Sequence, residues 1–265
     1  MPKIFLIYAL MICLFSCNED NPGKVISAGD TASEEKRLRD NISAHPDSLL
    51  LKENLIQYFR DNGNYYNANK ETDNAIQLDS LNPRLWDIKA TLLFENGDTL
   101  GSIQAFEHAI ELFPDPGYII SLGTLYAQTK NPKALELSDA LLMANKAKAD
   151  KESYFIKGLY YNYTNDKLKA ISFFDKCISL SYTFMDAYRE KAIALYDLGK
   201  YEEALAVLDK ALTLQNNFEE GYYYSGRCLE KLNRKQDAIL SYQNALVYDP
   251  NYIEAKDALA KLGVN

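Results

Sequence analysis

The sequence predicts an all-α protein built from about six antiparallel helical hairpins. From residue 49 onward, small residues, large apolar residues and turn-forming residues each recur at intervals of 34 residues. An interval of that length accommodates two helices of three to four turns and the turns that join them, so each interval is expected to form one hairpin. The predicted repeats span 49–82, 83–116, 117–150, 151–184, 185–218 and 219–252, followed by a closing helix at 253–262.

Two columns of small residues mark where the helices of a hairpin approach each other. Small side chains let neighbouring helices pack about 8–10 Å apart, while large residues at other positions fill the space between them. The eighth position of the repeat holds Ala90, Gly158, Ala192 and Gly226. The twentieth position holds Ala68, Ser102, Ala170, Ala204 and Ala238.

A third column predicts the turn between the two helices of each hairpin. The fifteenth position holds Gly63, Gly97, Asn165, Gly199 and Asn233. Glycine and asparagine are the residues that tolerate a positive φ, which such a turn requires. A non-repetitive helical bundle does not explain why all columns share one period.

The third repeat departs from this register. Its small residues, Gly123 and Ala134, stand one and two places early, and the register is regained at Lys151. We therefore expect about two additional residues in its second helix or in the loop that follows, with residues 144–151 absorbing the difference. Ahead of the first repeat, residues 33–44 predict a lone polar helix.

The period and the order of the columns resemble the tetratricopeptide repeat (TPR). Large aromatic residues occupy the fourth position, and the match departs from the family pattern in the first repeat, at Lys52 and Ile56. The resemblance covers about residues 33–265 and implies a right-handed superhelical solenoid whose concave side is lined by the first helix of each repeat. The aromatic residues of the fourth position are Trp86, Tyr154, Tyr188 and Tyr222.

The N-terminus resembles the signal of a bacterial lipoprotein. Residues 4–15 form an apolar run that is too short to span a bilayer comfortably and ends at a lipobox-like stretch from Leu14 to Cys17. The resemblance implies a signal peptide at 1–16, a lipidated (palmitate-bearing) Cys17 and a flexible tether at 17–32. An ordinary secretory signal and a short uncleaved anchor are the alternatives.

The same resemblance predicts the location of the chain. A lipidated residue holds it in the cell envelope, at the outer membrane in preference to the inner membrane, on either the periplasmic or the surface side. The acidic stretch at 18–20 resembles surface-export signals of Bacteroidetes lipoproteins, although a solvated tether explains it equally well. The expected source is a Bacteroidetes-type bacterium.

Composition argues against nucleic-acid binding and against catalysis. The net charge of −8 disfavours nucleic acid, whose recognition usually needs a basic face. His45 and His108 stand at no metal-ligand spacing, and no phosphate loop or nucleophile elbow is present. The sequence therefore predicts no enzyme, no cofactor and no metal. Cys177 and Cys228 are expected to be buried free thiols in preference to a disulfide.

The resemblance also places a partner-binding groove on the first helices of the later repeats. Aromatic residues mixed with arginine are favoured at protein interfaces, so we expect a protein or peptide partner in the envelope, for assembly, secretion or protease adaptation. The alternative is a carbohydrate- or small-ligand-binding surface lipoprotein, with sugar stacking on a tyrosine-rich groove. The expected groove residues are Phe155, Asn162, Tyr163, Arg189, Tyr196, Tyr223 and Arg227.

Overall fold

The computed structural model describes residues 28–144 and 150–264, and this part of the chain is entirely helical. The predicted all-α helical repeat fold is therefore confirmed. Successive helices pair into five hairpins, α2/α3, α4/α5, α8/α9, α10/α11 and α12/α13. The helices are α1 (Ala28–Ala44), α2 (Leu49–Asp61), α3 (Tyr65–Leu78), α4 (Pro83–Glu95), α5 (Thr99–Leu112), α6 (Pro116–Gln128), α7 (Lys133–Ala144), α8 (Asp150–Tyr163), α9 (Lys167–Leu180), α10 (Met185–Asp197), α11 (Tyr201–Leu214), α12 (Glu219–Lys231), α13 (Lys235–Tyr248) and α14 (Ile253–Lys261).

Short polar side chains and left-handed residues set the helix boundaries. Ser48, Asn64 and Asn82 each accept a hydrogen bond from a backbone N–H in the first turn of the helix that follows, as N-cap residues do. The predicted turn column has a positive φ throughout, at Gly63, Gly97, Asn165, Gly199 and Asn233. In the third repeat, the positive φ falls on Lys130, one place early.

Small residues allow the close approach within each hairpin. Ala90 and Ala192 are fully buried, and a methyl group added at Gly158 would collide with the ring of Phe174. The same conflict would arise between Gly226 and the ring of Tyr242, at 2.5 Å. Position eight is therefore small because the opposite helix presents a large side chain there.

The sequence separation within lysine–aspartate ion pairs shows how the third repeat differs in length from the others. Lys89 pairs with Asp73 at 2.9 Å, a separation of 16 residues in the sequence. The equivalent pair after the third repeat, Lys157 and Asp139 at 2.6 Å, is separated by 18 residues. Two additional residues thus lie between these positions, as the sequence predicted. Residues 145–149, which were expected to absorb most of the difference, lie outside the described residues.

The chain divides into two compact units, which meet in sequence between Tyr118 and Ile119 in the first turn of α6. The described part of the first unit contains α1 to α5, and an apolar cluster joins α1 to the α2/α3 hairpin and α4. The members of that cluster are Leu38, Leu55, Ile56, Phe59, Ala68 and Leu92.

The second unit runs from the remainder of α6 to α14. Its apolar clusters follow the hairpins in order, and the last of them joins α12 and α13 to α14 through Leu229, Tyr242 and Leu259. None of the described helices is long and apolar enough to cross a membrane.

The first helix extends further towards the N-terminus than expected. α1 begins at Ala28, so residues 28–32 are helical although the sequence suggested a tether there. Lengthening an existing helix is favourable because each added residue also adds a backbone hydrogen bond. The expected signal peptide, Cys17 and the tether before residue 28 lie outside the described residues.

Candidate protein-binding surface

The first helices α8, α10 and α12 lie beside one another in the second unit, and they carry every residue of the predicted groove. α10 contacts both α8 and α12, so residues that are about 34 apart in the sequence become neighbours. The structure divides the predicted set into residues that remain accessible to a partner and residues that are buried between the helices.

A tyrosine–arginine cluster, formed by Tyr196, Tyr223, Tyr224 and Arg227, is the centre of the accessible part. The Arg227 guanidinium lies 4.6 Å from the ring centre of Tyr196, 5.6 Å from that of Tyr224 and 6.0 Å from that of Tyr223. Tyr224 is buried, whereas the other three side chains are partly exposed. These distances are those of cation–π contacts, which hold the arginine in place while its charge remains available.

Further aromatic rings pack against two tyrosines of this cluster. Tyr223 contacts Tyr252 at 5.1 Å and Tyr242 at 5.8 Å, and Tyr196 contacts Tyr201 at 5.2 Å between ring centres. Burial raises the pKa of Tyr223 and of Tyr252, so both remain neutral near pH 7. The sequence analysis missed Tyr201 and Tyr252, and the abundance of tyrosine in the last repeats was the available signal.

Arg189 lies inside the structure, away from the surface where the sequence placed it. Its side chain is only 3% exposed and pairs with three carboxylates, at 2.7 Å from Asp186 and 3.6 Å from Glu190, with a third contact to Glu220 on α12. Burial raises the pKa of Glu220, although Arg189 opposes this. A buried guanidinium needs such partners, because an unpaired buried charge is strongly unfavourable.

Asn162 is likewise part of the interior. It is 8% exposed, donates to Glu190 at 3.4 Å and accepts from Lys167 Nζ at 2.7 Å. The Lys167 Nζ atom also donates a hydrogen bond to Asp197 on α10, at 2.6 Å. The half-buried Tyr163 lies nearby, and burial followed by the charge of Glu190 raises its pKa to about 12. These residues join α8 to α10, so their structural contribution is to hold the surface together.

Phe155 occupies the other end of the predicted groove. Its ring lies 5.0 Å from Phe184 and 5.8 Å from Phe174, and the side chain is partly exposed. The structure therefore keeps Phe155 at the edge of the α8/α9 hairpin and does not place it in contact with the tyrosine–arginine cluster.

The equivalent first helices of the first unit, α2 and α4, carry charged side chains that pair with one another. Glu53 accepts two hydrogen bonds from Arg84, at 2.6 and 2.8 Å, and Arg60 binds Glu95. Asp87 lies beside Arg84, and burial raises its pKa to about 6 although Arg84 opposes this rise.

Within residues 28–144 and 150–264, no three His, Cys, Asp or Glu side chains are grouped to hold a metal ion.

The two cysteines of this region are free and buried, as the sequence predicted. The Cys177 thiol donates to the backbone carbonyl of Lys151 at 3.2 Å. Burial raises the pKa of both thiols to about 12, so neither forms an appreciable amount of the reactive thiolate at neutral pH.

Comparison with known protein families identifies the type of the repeats in the second unit. The tetratricopeptide repeat family matches residues 151–184 and, separately, residues 189–253. The chain carries tetratricopeptide repeats. These matches include the helices that bear the tyrosine–arginine cluster. This repeat fold supports a general role in protein interaction, because stacked hairpins form extended binding surfaces.

Solved structures extend the similarity in fold to most of the chain. A tetratricopeptide repeat protein from Parabacteroides merdae is 22% identical, with a TM-score of 0.74 over 89% of this chain and 93% of that one. PilW, a type IV pilus biogenesis factor, is 15% identical, with a TM-score of 0.62 over 79% of this chain and 97% of its own. At these identities, the likeness concerns the fold.

One relative is similar in sequence over a short stretch. An uncharacterized protein of Methanocaldococcus jannaschii is 43% identical over 53 residues, which is 20% of this chain. The chain covers 62% of the length of that relative.

Proposed function

We propose that this TPR protein is an envelope-anchored scaffold that binds a protein or peptide partner across α10 and α12. The observation that carries the proposal is the stacking of the Arg227 guanidinium on the partly exposed ring of Tyr196, 4.6 Å away, with Tyr223 beside it. Tyrosine and arginine dominate the energetic centres of protein interfaces. A partner would gain an apolar ring surface and a cation at one place.

The surroundings of the cluster favour binding because they hold it rigid. Tyr223 rests on Tyr252 and Tyr242, and the buried contacts of Arg189 join α10 to α12. Side chains that are ordered before binding lose less conformational entropy when a partner arrives. The roles that suit such a scaffold are envelope assembly, secretion and protease adaptation.

Site-specific crosslinking tests the binding surface. A photoreactive residue at Tyr196 should trap a discrete envelope protein, and the adduct should be lost when Arg227→Ala is added. Tyr182 is the matched control, because it is an exposed tyrosine of the same unit outside the cluster. Equal trapping from Tyr182, or an adduct that survives Arg227→Ala, would contradict the proposal.

The anchor has its own test. The proposed lipid on Cys17 should hold the chain to the outer membrane, so Cys17→Ala is expected to move it to the soluble fraction. Cys13→Ala, inside the proposed signal peptide, is the matched control and should leave the chain in the membrane. Membrane retention of the Cys17→Ala chain would refute lipid anchoring without bearing on the crosslinking result.

A further inference from the structure

We propose that a second site, a cleft between α3 and α4 in the first unit, binds a neutral oligosaccharide. This inference is independent of the scaffold role, because it concerns different residues and a different class of ligand. The cleft has a volume of about 620 Å³, which is within the range of ligand pockets. We call it the amide cleft, and it is lined by Tyr65, Tyr66, Asn69, Lys70, Asp73, Asn74, Gln77, Lys89, Leu93 and Asn96.

Asn69 is the residue that points to a ligand. Its amide nitrogen donates to the backbone carbonyl of Tyr65 at 2.9 Å, whereas its Oδ1 atom is buried and has no hydrogen-bond partner among the described residues. Leaving a buried acceptor unpaired is unfavourable. A hydroxyl group bound in the cleft would donate to this atom and remove the penalty.

Asn69 is polar, whereas the residues at the same position of other repeats are aliphatic. It is the twenty-first of the repeat, and the other hairpins carry aliphatic residues there that are partly buried against their own hairpins. The fold therefore accommodates an aliphatic side chain at this point, so the asparagine is not a requirement of helix packing. The aliphatic residues are Ile103, Ile171, Leu205 and Ile239.

The remaining lining residues match a neutral, hydroxyl-rich ligand. Asn74, Gln77 and Asn96 add three more amides, and an amide can both donate and accept, as sugar hydroxyls also do. The Asn74 nitrogen also donates to Glu71 at 3.2 Å. Of the three charged residues, Lys89 and Asp73 pair with each other at 2.9 Å, and Lys70 is exposed at the surface. The other polar side chains that line the cleft are uncharged.

An aromatic ring and the length of the cleft complete the fit. Tyr66 is 78% exposed, so its apolar face is available for stacking against a sugar ring. The lining residues follow α3 from Tyr65 to Gln77, roughly 18 Å along the helix axis, which favours an elongated ligand. Leu93 is the only aliphatic residue of the ten, so the apolar surface of the cleft comes largely from the tyrosine rings and the stems of longer side chains.

The test is titration of the purified full chain with neutral hexasaccharides, namely maltohexaose, cellohexaose, laminarihexaose and chitohexaose. Saturation-transfer NMR would detect binding, and calorimetry would measure affinity. At least one saccharide should bind saturably, and Asn69→Ile should weaken it by about tenfold or more. Because isoleucine stands at three of the four equivalent positions, the unfolding midpoint of this variant should not fall.

Two tyrosine variants provide the matched comparison. Tyr66→Ala should weaken saccharide binding, whereas Tyr182→Ala, at an exposed tyrosine of the second unit, should not. Absence of saturable binding for all four saccharides, or unchanged affinity in the Asn69→Ile chain, would overturn the proposal. So would saturable binding of an asparagine-rich peptide with no saccharide binding, which would assign the cleft to a polypeptide.

Discussion

Residues at one position of the repeat play different parts in this chain. The fifth position holds Glu53, Asp87, Arg189 and Tyr223, among others, and the first helix of each repeat carries it. Glu53 is neutralised by Arg84, Arg189 is enclosed by carboxylates, and Tyr223 stacks in the tyrosine–arginine cluster. The surroundings of each side chain therefore decide its role, although the position in the hairpin is the same.

The raised pKa of Asp87 predicts that the stability of the chain depends on pH. Burial raises the pKa of Asp87 to about 6, and the positive charge of Arg84 opposes this rise. The negative charges of Asp115 and Glu53 add to it, and Tyr118 also faces this carboxyl group. Since the folded chain holds this proton more tightly, its contribution to stability is complete below about pH 4 and is lost as pH rises through 6. Asp87→Asn should remove this dependence and stabilise the chain near pH 7 by about 3 kcal/mol.

Urea unfolding at several pH values measures this effect. The wild type and the Asp87→Asn chain should differ most near pH 7 and converge towards pH 4. The exposed Asp47 supplies the control, because Asp47→Asn should leave the difference between these pH values unchanged. A gap between wild type and Asp87→Asn that stays constant with pH would contradict the assignment.

At the scale of helices, an ion pair of the same kind joins a second helix to the first helix that follows at three places among the described residues. The lysine of each pair is largely buried along its stem, while the aspartate remains about half exposed. The sequence analysis missed this pairing, although lysine at the seventh position and aspartate at the twenty-fifth were visible in the columns. The three pairs are Lys89–Asp73, Lys157–Asp139 and Lys191–Asp175.

A charge exchange between α7 and α8 tests one of these pairs. Lys157→Glu places two like charges together and should lower the free energy of unfolding by about 1 kcal/mol. Adding Asp139→Lys should restore most of that loss, and a double-mutant cycle measures the coupling. Lys169→Glu, in a pair with Asp166 whose lysine is far more exposed than Lys157, should have a smaller effect. Purely additive effects at 157 and 139 would mean that the pair contributes nothing.

At the scale of the whole molecule, α14 closes the last hairpin. Ala255 and Leu259 are buried, and Leu259 packs with Leu229 and Tyr242. The opposite side of α14 is polar, with Glu254, Lys256, Asp257 and Lys261 exposed. α14 thereby keeps water from the apolar face that the α12/α13 hairpin presents to it.

Removal of residues 251–265 should therefore destabilise the neighbouring hairpin. Leu229 and Tyr242 would become exposed, at a cost of about 1.5–3 kcal/mol for a large apolar side chain. Hydrogen exchange should show lost protection in α12 and α13, with α2 to α5 unchanged. Lys256→Gln, on the polar side of α14, should leave protection as it is. Full protection of α13 in the shortened chain would refute a capping role.

The sequence by itself determined the helical hairpins, their period and the turn residues, because these depend on local backbone preferences and on small residues repeated in every hairpin. Gly63, Asn165 and Gly158 could be assigned in this way. Only the tertiary structure decided which polar residues are buried. Arg189 is buried, and the Oδ1 atom of the partly exposed Asn69 is buried in the lining of the amide cleft. Burial and pairing depend on side chains about 30 residues away, and a column of the repeat does not contain that information.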